Sequence, residues 1–279
     1  MTKDMTKDIT KDMTTTVHQH FVERTKALLF GDSRILGLAI GGSWMTGELD
    51  EFSDLDFYVV LDEKAVSMPF EEKRAIVQPL GKLLSFYKNG HDDNVAVSLF
   101  YYEPQLLHVD WKWISLSGFE KRVEDPEILF ERENCLSEVI GRYPSLGYAL
   151  PELQYQESRF WTWMHYVLSK LGRGEIIEAY DYLCEVRSYS IGPLVLMKNG
   201  LSARRMRFAE KLPENDLEWI KKTIPTDCTA LGCIDASLIM MQMFVYLRDA
   251  IKTDNYISNN EAERACFNYL AYIRHKLYK

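Results

Sequence analysis

The first half of the chain has the apolar pattern of a mixed α/β unit. Apolar residues recur at helical spacing over 17–30, which predicts a first helix that ends at Gly31. Short apolar runs then predict about four strands, over 35–40, 57–61, 95–101 and 106–114. Helical spacing predicts one more helix over 70–87, between the second and third of these strands.

The second half has helical spacing almost throughout. From Pro151 onwards the apolar positions predict five helices, over 153–171, 175–197, 217–223, 232–251 and 262–277. Aromatic residues near the start of the first of these have the spacing of a helix core rather than of a stacking platform. The predicted class is therefore α+β, a small mixed β-sheet with helices followed by an α-helical bundle.

Two changes in composition set the predicted domain boundaries. Residues 1–12 repeat the unit Met-Thr-Lys-Asp, with Ile for Met in the third copy, and contain few apolar side chains. They predict a mobile or loosely helical extension, which we bound at 1–16. A turn-rich stretch around 141–151 separates a catalytic domain over 17–146 from a helical, substrate-binding domain over 147–279.

Overall charge narrows the expected partners. The net charge of −8 argues against a broad grip on nucleic acid phosphates and tolerates small cationic substrates. Five cysteines form no CxxC pair and no zinc pattern. The N-terminus lacks an apolar signal-peptide core, and the longest apolar run, 233–247, contains Asp235 and Gln242. We expect that run to be a buried helix, too short and polar to span a bilayer, in a cytoplasmic protein without a membrane partner.

A glycine turn follows the first predicted strand. That strand ends in two glycines, the second being Gly42, and Ser43 comes next, just before a short helix predicted over 44–47. Glycines let the backbone approach a ligand closely, and amides at a helix start point at negative charge. A serine hydroxyl can add one donor to a phosphate oxygen. Taken alone, the segment is equally typical of a tight turn.

Two carboxylates lie at the start of the next predicted strand. Asp54 and Asp56 are two residues apart, so they project from one face while Leu55 and Phe57 face the core. Carboxylates this close repel each other unless a cation lies between them, and hard oxygen ligands suit Mg²⁺. Magnesium in turn bridges nucleotide phosphates. An Asp-x-Asp pair alone is common in solvated turns, but its combination with the glycine turn favours a site.

A third carboxylate occurs in a later strand-like segment. Asp110 lies among apolar and aromatic residues, where a charge is costly to bury without a partner. If its strand lies beside the one that carries Asp54 and Asp56, the three form an acidic triad. Asp110 could then ligate a metal or accept a proton from an attacking hydroxyl. Lys112 shares its face and could contact phosphate, although a solvated edge charge explains Lys112 equally well.

This pattern resembles that of the nucleotidyltransferase superfamily that includes DNA polymerase beta. Within it, the chain is similar to the bacterial antibiotic nucleotidyltransferases, and more to the lincosamide branch than to the streptomycin-type aminoglycoside branch. The resemblance covers roughly 35–113 and extends, more weakly, into 171–175 and Arg187. Those enzymes join an N-terminal catalytic domain to a C-terminal helical domain.

The resemblance implies an activity and roles for the residues. Gly42 and Ser43 would hold the nucleoside triphosphate, and Asp54, Asp56 and Asp110 would bind Mg²⁺. The reaction would transfer AMP from ATP, or another nucleoside monophosphate, to a hydroxyl of a small acceptor such as a lincosamide or aminoglycoside, and release pyrophosphate. The resemblance does not fix the oligomeric state, and a homodimer is compatible with it.

Four charged residues of the helical half are secondary candidates. Arg173 and Arg187 could reach phosphates or the acceptor, but surface or interhelix pairing is the favoured interpretation. Glu152 and Glu157 could offer a general base, but we expect them to be solvated helix charges.

Two rival functions remain open. A toxin–antitoxin nucleotidyltransferase would act on protein or tRNA, and the spacing of Arg159 and His165 happens to fit an Arg-x₄₋₆-His ribonuclease motif of such systems. The acidic net charge and the lack of basic runs disfavour RNA. A non-catalytic nucleotide-binding module is the third possibility, and it would not need paired carboxylates.

Overall fold

The structure is a computed structural model that describes residues 5–47, 49–92 and 94–277. The chain divides into two compact units, Met1–Gly147 and Tyr148–Lys279, called unit 1 and unit 2 below. Unit 1 contains a mixed sheet with helices, and unit 2 is helical. The predicted fold class is therefore confirmed.

Unit 1 is built on a six-stranded sheet. Its strands are β1 Ile35–Ile40, β2 Leu55–Leu61, β3 Lys82–Lys88, β4 Val95–Tyr102, β5 Gln105–Ser115 and β6 Glu127–Glu131. Its helices are α1 Met5–Phe30, α2 Ser43–Thr46, α3 Phe70–Val77, α4 Leu116–Phe119 and α5 Cys135–Arg142. The strand order is β3-β4-β5-β2-β1-β6, in which β2 and β5 are parallel and the other neighbours antiparallel.

The two faces of the sheet carry different side chains because residues alternate along each strand. On one face Phe57 of β2 stacks on Trp111 of β5 with ring centroids 5.0 Å apart, and both pack with Phe21 of α1. The opposite face has a smaller apolar cluster, which includes Val60 and Phe119. Asp56 and Asp110 belong to that second face, nearer the start of β2 than its apolar cluster.

Two predictions for unit 1 are wrong. The helix predicted over 70–87 ends at Val77, and a 3₁₀ turn over Gln78–Leu80 leads into strand β3. Pro79 cannot donate a helical hydrogen bond, which explains the early end. The sheet also has six strands rather than about four, because β3 and β6 were not expected.

The first helix is longer than predicted. Part of the repeat over 1–12 lies outside the described residues, but the chain is helical from Met5, and α1 continues to Phe30 without a break at the expected boundary of the extension. Its C-terminal half supplies Phe21, Val22 and Leu29 to the core of unit 1.

Unit 2 packs six helices, among its described residues, around one apolar core. They are α6 Leu153–Arg173, α7 Ile176–Val186, α8 Gly192–Lys198, α9 Glu214–Lys222, α10 Ala230–Ile251 and α11 Asn260–Leu277. The single helix predicted over 175–197 is instead α7 and α8 joined by a π-helical turn over Arg187–Ile191. Phe160 of α6 and Phe244 of α10 stack face to face at 3.9 Å in the middle of this core.

Helix α10 is longer than the run expected over 233–247. By length and composition alone it could cross a membrane, with a mean hydropathy of 1.6 over 18 residues. Half of that window is buried inside the fold, which is typical of a core helix. The prediction of a buried helix is confirmed, whereas the argument from insufficient length is wrong.

Candidate active site

The glycine turn after β1 lies directly against the start of β2. The amide of Gly41 donates to the carbonyl of Asp56 over 2.9 Å. Gly42 has φ 65° and ψ −142°, a combination that is open almost only to glycine. A β-carbon at Gly42 would also lie 2.2 Å from Oδ2 of Asp56. The position therefore has to be glycine both for its backbone angles and for the carboxylate beside it.

Ser43 presents an unused hydroxyl at this turn. Its Oγ is buried and has no hydrogen-bond partner among the described residues. The neighbouring Trp44 donates its indole N–H to Glu127 at 3.0 Å, which fixes α2 to the start of β6. A buried hydroxyl without a partner costs free energy, so a ligand oxygen at this point would be stabilised.

The parallel pairing of β2 and β5 brings two of the predicted acids together. Asp56 and Asp110 are direct partners in the register of these strands. Asp54 immediately precedes β2, and Leu55 and Phe57 are buried on the opposite face, as the alternation predicts. We call Asp54, Asp56 and Asp110 the acidic edge.

Lys112 follows Asp110 on the same face. Its Nζ lies 4.7 Å from the ring centroid of Tyr58, which is its register partner on β2. This cation–π contact, rather than full solvation, holds the half-buried ammonium group next to the acidic edge. Its predicted contact with phosphate stays a prediction.

His108 is a neighbour of the acidic edge that the sequence reasoning missed. Its Nε2 lies 2.9 Å from Oδ1 of Asp110. This hydrogen bond raises the pKa of the imidazole, and the negative charges of Asp110, Asp54 and Asp56 raise it further against partial burial. The i, i+2 spacing of His108 from Asp110 on a strand was the available signal.

Glu124 is a second residue that was missed. Its Oε1 accepts the amide of Gly42 at 3.1 Å, and a β-carbon at Gly41 would lie 2.8 Å from the same oxygen. The loop that carries it is fixed by buried Arg122, which donates to Asp125 and to the carbonyl of Tyr143, both at 2.6 Å. No sequence motif marks Glu124, because it reaches the glycine turn only through the pairing of β6 with β1.

The acidic edge fits a magnesium ion by its donor chemistry. Carboxylate oxygens on one face of adjacent strands, beside an unused hydroxyl, are the ligands that Mg²⁺ prefers. Among the described residues, however, no three His, Cys, Asp or Glu side chains are gathered tightly enough to hold a metal as they stand. Asp110 instead pairs with His108, so ligation would require its carboxylate to exchange that partner.

Glu157 in unit 2 is not the solvated charge that was expected. It is 1% exposed, and its carboxylate accepts hydrogen bonds from Trp161, from the amide of Asn259 and from Tyr256. Buried Arg248 lies 3.8 Å from it. A carboxylate with this many partners has a structural role, because burial would otherwise be too costly. Glu152, at the start of α6, is exposed.

The other candidates of unit 2 are held by local contacts. Arg187 donates to the carbonyl of Thr223 at 3.0 Å, and Arg173 is an exposed side chain 4.0 Å from Glu175. Both follow the favoured interpretation of structural or surface pairing.

The spacing of Arg159 and His165 does not bring them together. Six residues along a helix separate two side chains by about 120° around its axis. Arg159 accordingly donates to the carbonyl of Tyr189 at 2.7 Å, whereas His165 stacks on Tyr269 at 5.2 Å. The two side chains therefore do not form one catalytic pair.

The similarity of this chain to known proteins is limited. No protein-family model matches the chain, and no curated protein matches it. A nucleotidyltransferase-like protein is among the similar solved structures. It comes from Exiguobacterium sibiricum 255-15, and the match covers 78% of this chain and 71% of that chain at 11% identity and a TM-score of 0.37. A likeness at this level carries no argument about function, which has to come from the residues of the site.

Proposed function

We propose that this chain is a magnesium-dependent nucleotidyltransferase. It would transfer a nucleoside monophosphate, AMP from ATP in the first instance, to a hydroxyl of a small molecule and release pyrophosphate. The observation that carries the proposal is the strand register of Asp56 and Asp110, beside a glycine turn whose Ser43 hydroxyl has no partner among the described residues. A binding module that only held a nucleotide would not require adjacent carboxylates of this kind.

The residues divide the work between binding and chemistry. The amide of Gly42, once it leaves its present acceptor Glu124, and the hydroxyl of Ser43 would bind phosphate oxygens of the triphosphate. Asp54, Asp56 and Asp110 would hold Mg²⁺, which supplies charge stabilisation to the phosphates during transfer. Lys112, next to the acidic edge, adds a positive charge toward a phosphate.

The transfer step is a displacement at the α-phosphorus. The acceptor hydroxyl oxygen forms a bond to that phosphorus, and the bond to the bridging oxygen of the β-phosphate breaks, so pyrophosphate leaves. The hydroxyl proton passes to a carboxylate of the acidic edge, for which Asp110 is our choice.

The proposal also covers the class of the acceptor, the roles of the two units and the cellular location. We propose a lincosamide or aminoglycoside as the acceptor class, since small cationic molecules suit an acidic chain. Unit 1 would be catalytic and unit 2 would bind the acceptor, in a cytoplasmic protein that acts without nucleic acid or membrane partners and is compatible with a homodimer.

A pyrophosphate-release assay tests the proposal. The purified chain is incubated with each nucleoside triphosphate, Mg²⁺ and a panel of lincosamides and aminoglycosides. We expect release that depends on both metal and acceptor, with Asp56→Asn inactive and its circular dichroism and melting unchanged. No turnover over the whole panel, or full activity of Asp56→Asn, would reject it.

The rival functions give different results in the same preparation. A toxin–antitoxin activity would label tRNA or protein from ATP rather than the antibiotics. A pure binding module would bind ATP in calorimetry without any turnover. Ribonuclease activity that is lost in His165→Ala would favour the toxin–antitoxin function. The separate contacts of Arg159 and His165 disfavour that function.

A further inference from the structure

Unit 2 contains a pocket whose lining is rich in arginine. It has a volume of about 550 Å³ and is lined by Gln156, Tyr189, Pro193, Arg204, Arg205 and Arg207, with three small residues. We call this the arginine pocket. Its volume lies within the range of small-molecule sites. Three guanidinium groups within four residues are unexpected on a chain whose net charge is −8.

The three arginines differ from most other cations of unit 2 in their contacts. None of them forms an ion pair with a carboxylate in the part of the chain that the structure describes. Arg205 instead packs over the ring of Tyr189 at 4.4 Å. Arg204 packs over Tyr148 at 4.2 Å and donates from Nη1 to the hydroxyl of the same tyrosine at 2.8 Å. A guanidinium stacked in this way is held in place by its flat face, while its edge can still donate to a planar or tetrahedral anion.

Buried polar atoms without partners collect in the same region. Among the described residues, Nε of Arg204 is buried without a partner. The same holds for the hydroxyls of Ser190 and Ser202, which are next to the lining residues Tyr189 and Ala203 in sequence but do not themselves line the pocket. Buried polar groups normally have a hydrogen-bond partner, because burying them without one costs free energy of folding. In unit 1 the same feature occurs at Ser43, in the proposed phosphate-binding turn.

The backbone holds this loop in a defined shape. Arg205 has φ 54°, in the left-handed region that is uncommon for residues other than glycine. Its carbonyl oxygen would lie 2.4 Å from a β-carbon at Gly192, so the loop packs tightly on the start of α8. The preceding π-helical turn, a form frequent at functional sites, positions Tyr189 beneath Arg205.

We propose that the arginine pocket binds a small phosphate-bearing anion, at a site that does not use the acidic edge. Three guanidinium groups, each with several N–H donors, exceed what the two oxygens of one carboxylate can satisfy. A phosphate or diphosphate group offers both the multiple charge and the additional oxygens. The proposal does not depend on nucleotide transfer by unit 1.

Calorimetry on the full chain, stripped of metal and dialysed into chelator-free buffer, tests this site. Without metal, the carboxylates of the acidic edge repel anions, so binding of inorganic phosphate, inorganic pyrophosphate or a hexose phosphate reports on the arginine pocket. Comparing the three probes separates a site for the free inorganic ions from one for a phosphorylated organic molecule. A dicarboxylate of similar size tests whether the pocket prefers carboxylates to phosphates.

Four variants make the test specific. Arg205→Gln and Arg207→Gln should weaken binding about 10- to 100-fold each, as expected for a lost charge-assisted hydrogen bond. Arg207 makes no ion pair or ring contact within the described residues, so its variant should fold normally. Arg173→Gln removes the same charge from an exposed position, and Asp56→Asn alters the acidic edge, and both should bind like the parent.

Three results would overturn the proposal. They are no binding of any phosphate probe to the parent chain, equal weakening by Arg173→Gln and Arg205→Gln, or a preference for the dicarboxylate. Loss of binding in Asp56→Asn would overturn the assignment to unit 2, whatever the outcome of the transferase assay.

Discussion

The acidic edge of unit 1 and the arginine pocket of unit 2 are built in opposite ways. The acidic edge places its charges on regular strands, so the spacing of Asp54 and Asp56 and the register of Asp110 determine the arrangement. The arginine pocket uses an irregular loop and a π-helical turn, in which Arg204 and Arg205 are held by aromatic rings. The comparison indicates that residue spacing in the sequence reveals a site only where the residues lie on regular secondary structure.

The two sites share one feature despite their opposite charge. Each contains buried polar side-chain atoms without a partner, at Ser43 in one and at Arg204 in the other. Glu157 is the contrasting case, a buried charge whose partners are all within the protein. Such unpaired atoms also occur at Thr25 and Trp113, outside both proposed sites, so they support a ligand only together with the neighbouring charges.

The largest effect should come from removing one charge of the acidic edge. Asp110→Asn should lower pyrophosphate release by about 10²–10³-fold, as expected when a group that stabilises transition-state charge is lost. Metal-free pyrophosphate binding should not change, because the arginine pocket is untouched. Asp62→Asn, at the far end of β2, is the matched control and should keep its activity. An equal loss of pyrophosphate release in Asp110→Asn and Asp62→Asn would contradict a specific role for the acidic edge.

A second test adds one methyl group to the glycine turn. Gly42→Ala should destabilise unit 1 by about 1–3 kcal/mol because of its backbone angles, and should lower activity because the methyl group meets Asp56. Gly47→Ala has positive φ but open space around it, so it should keep activity at a smaller cost in stability. Urea unfolding and pyrophosphate release measure both, and unchanged activity of Gly42→Ala would count against the turn as a binding element.

Ser43→Ala tests the unpaired hydroxyl. Because its Oγ has no partner, the variant should be as stable as the parent or more so, yet bind nucleotide less well. Ser98→Ala is the opposite control, since its hydroxyl accepts the indole N–H of Trp111 at 2.8 Å. That variant should lose about 1–3 kcal/mol of stability. If Ser43→Ala is the less stable of the two, its hydroxyl has a structural partner instead.

The smallest effect is expected at Glu124. Glu124→Gln keeps an oxygen that can accept the Gly42 amide but removes a negative charge beside the proposed triphosphate position. The nucleotide KM should fall, by no more than about fivefold for a half-exposed charge. Glu120→Gln, at the start of the same loop, should leave KM unchanged. A raised KM in Glu124→Gln would indicate that the carboxylate assists binding.

Regular structure explains how much of this could be predicted. Strand β1 has the bounds that its apolar run indicates, and the alternation at Asp54 to Phe57 predicts which side chains are buried. Asp110 was found because a charge among aromatic strand residues needs a partner.

The missed features depend on tertiary contacts. Strand β3 is an edge strand with little buried surface, so its pattern does not differ clearly from that of the helix before Pro79. Glu124 and His108 acquire their meaning only from the residues that the sheet brings to them. The residues of the arginine pocket show no helical or strand periodicity in the sequence. Three arginines within four residues of a loop are typical of a solvated surface, and only the structure shows which residues surround them.

The most direct test of the central claim is a crystal structure with Mg²⁺ and a non-hydrolysable ATP analogue. We expect the metal between Asp56 and Asp110, with Asp110 released from His108. We expect the phosphates at the Ser43 hydroxyl and at the Gly42 amide, which would be released from Glu124. A nucleotide bound elsewhere, or an acidic edge that stays free of metal at saturating Mg²⁺ and nucleotide, would contradict the account.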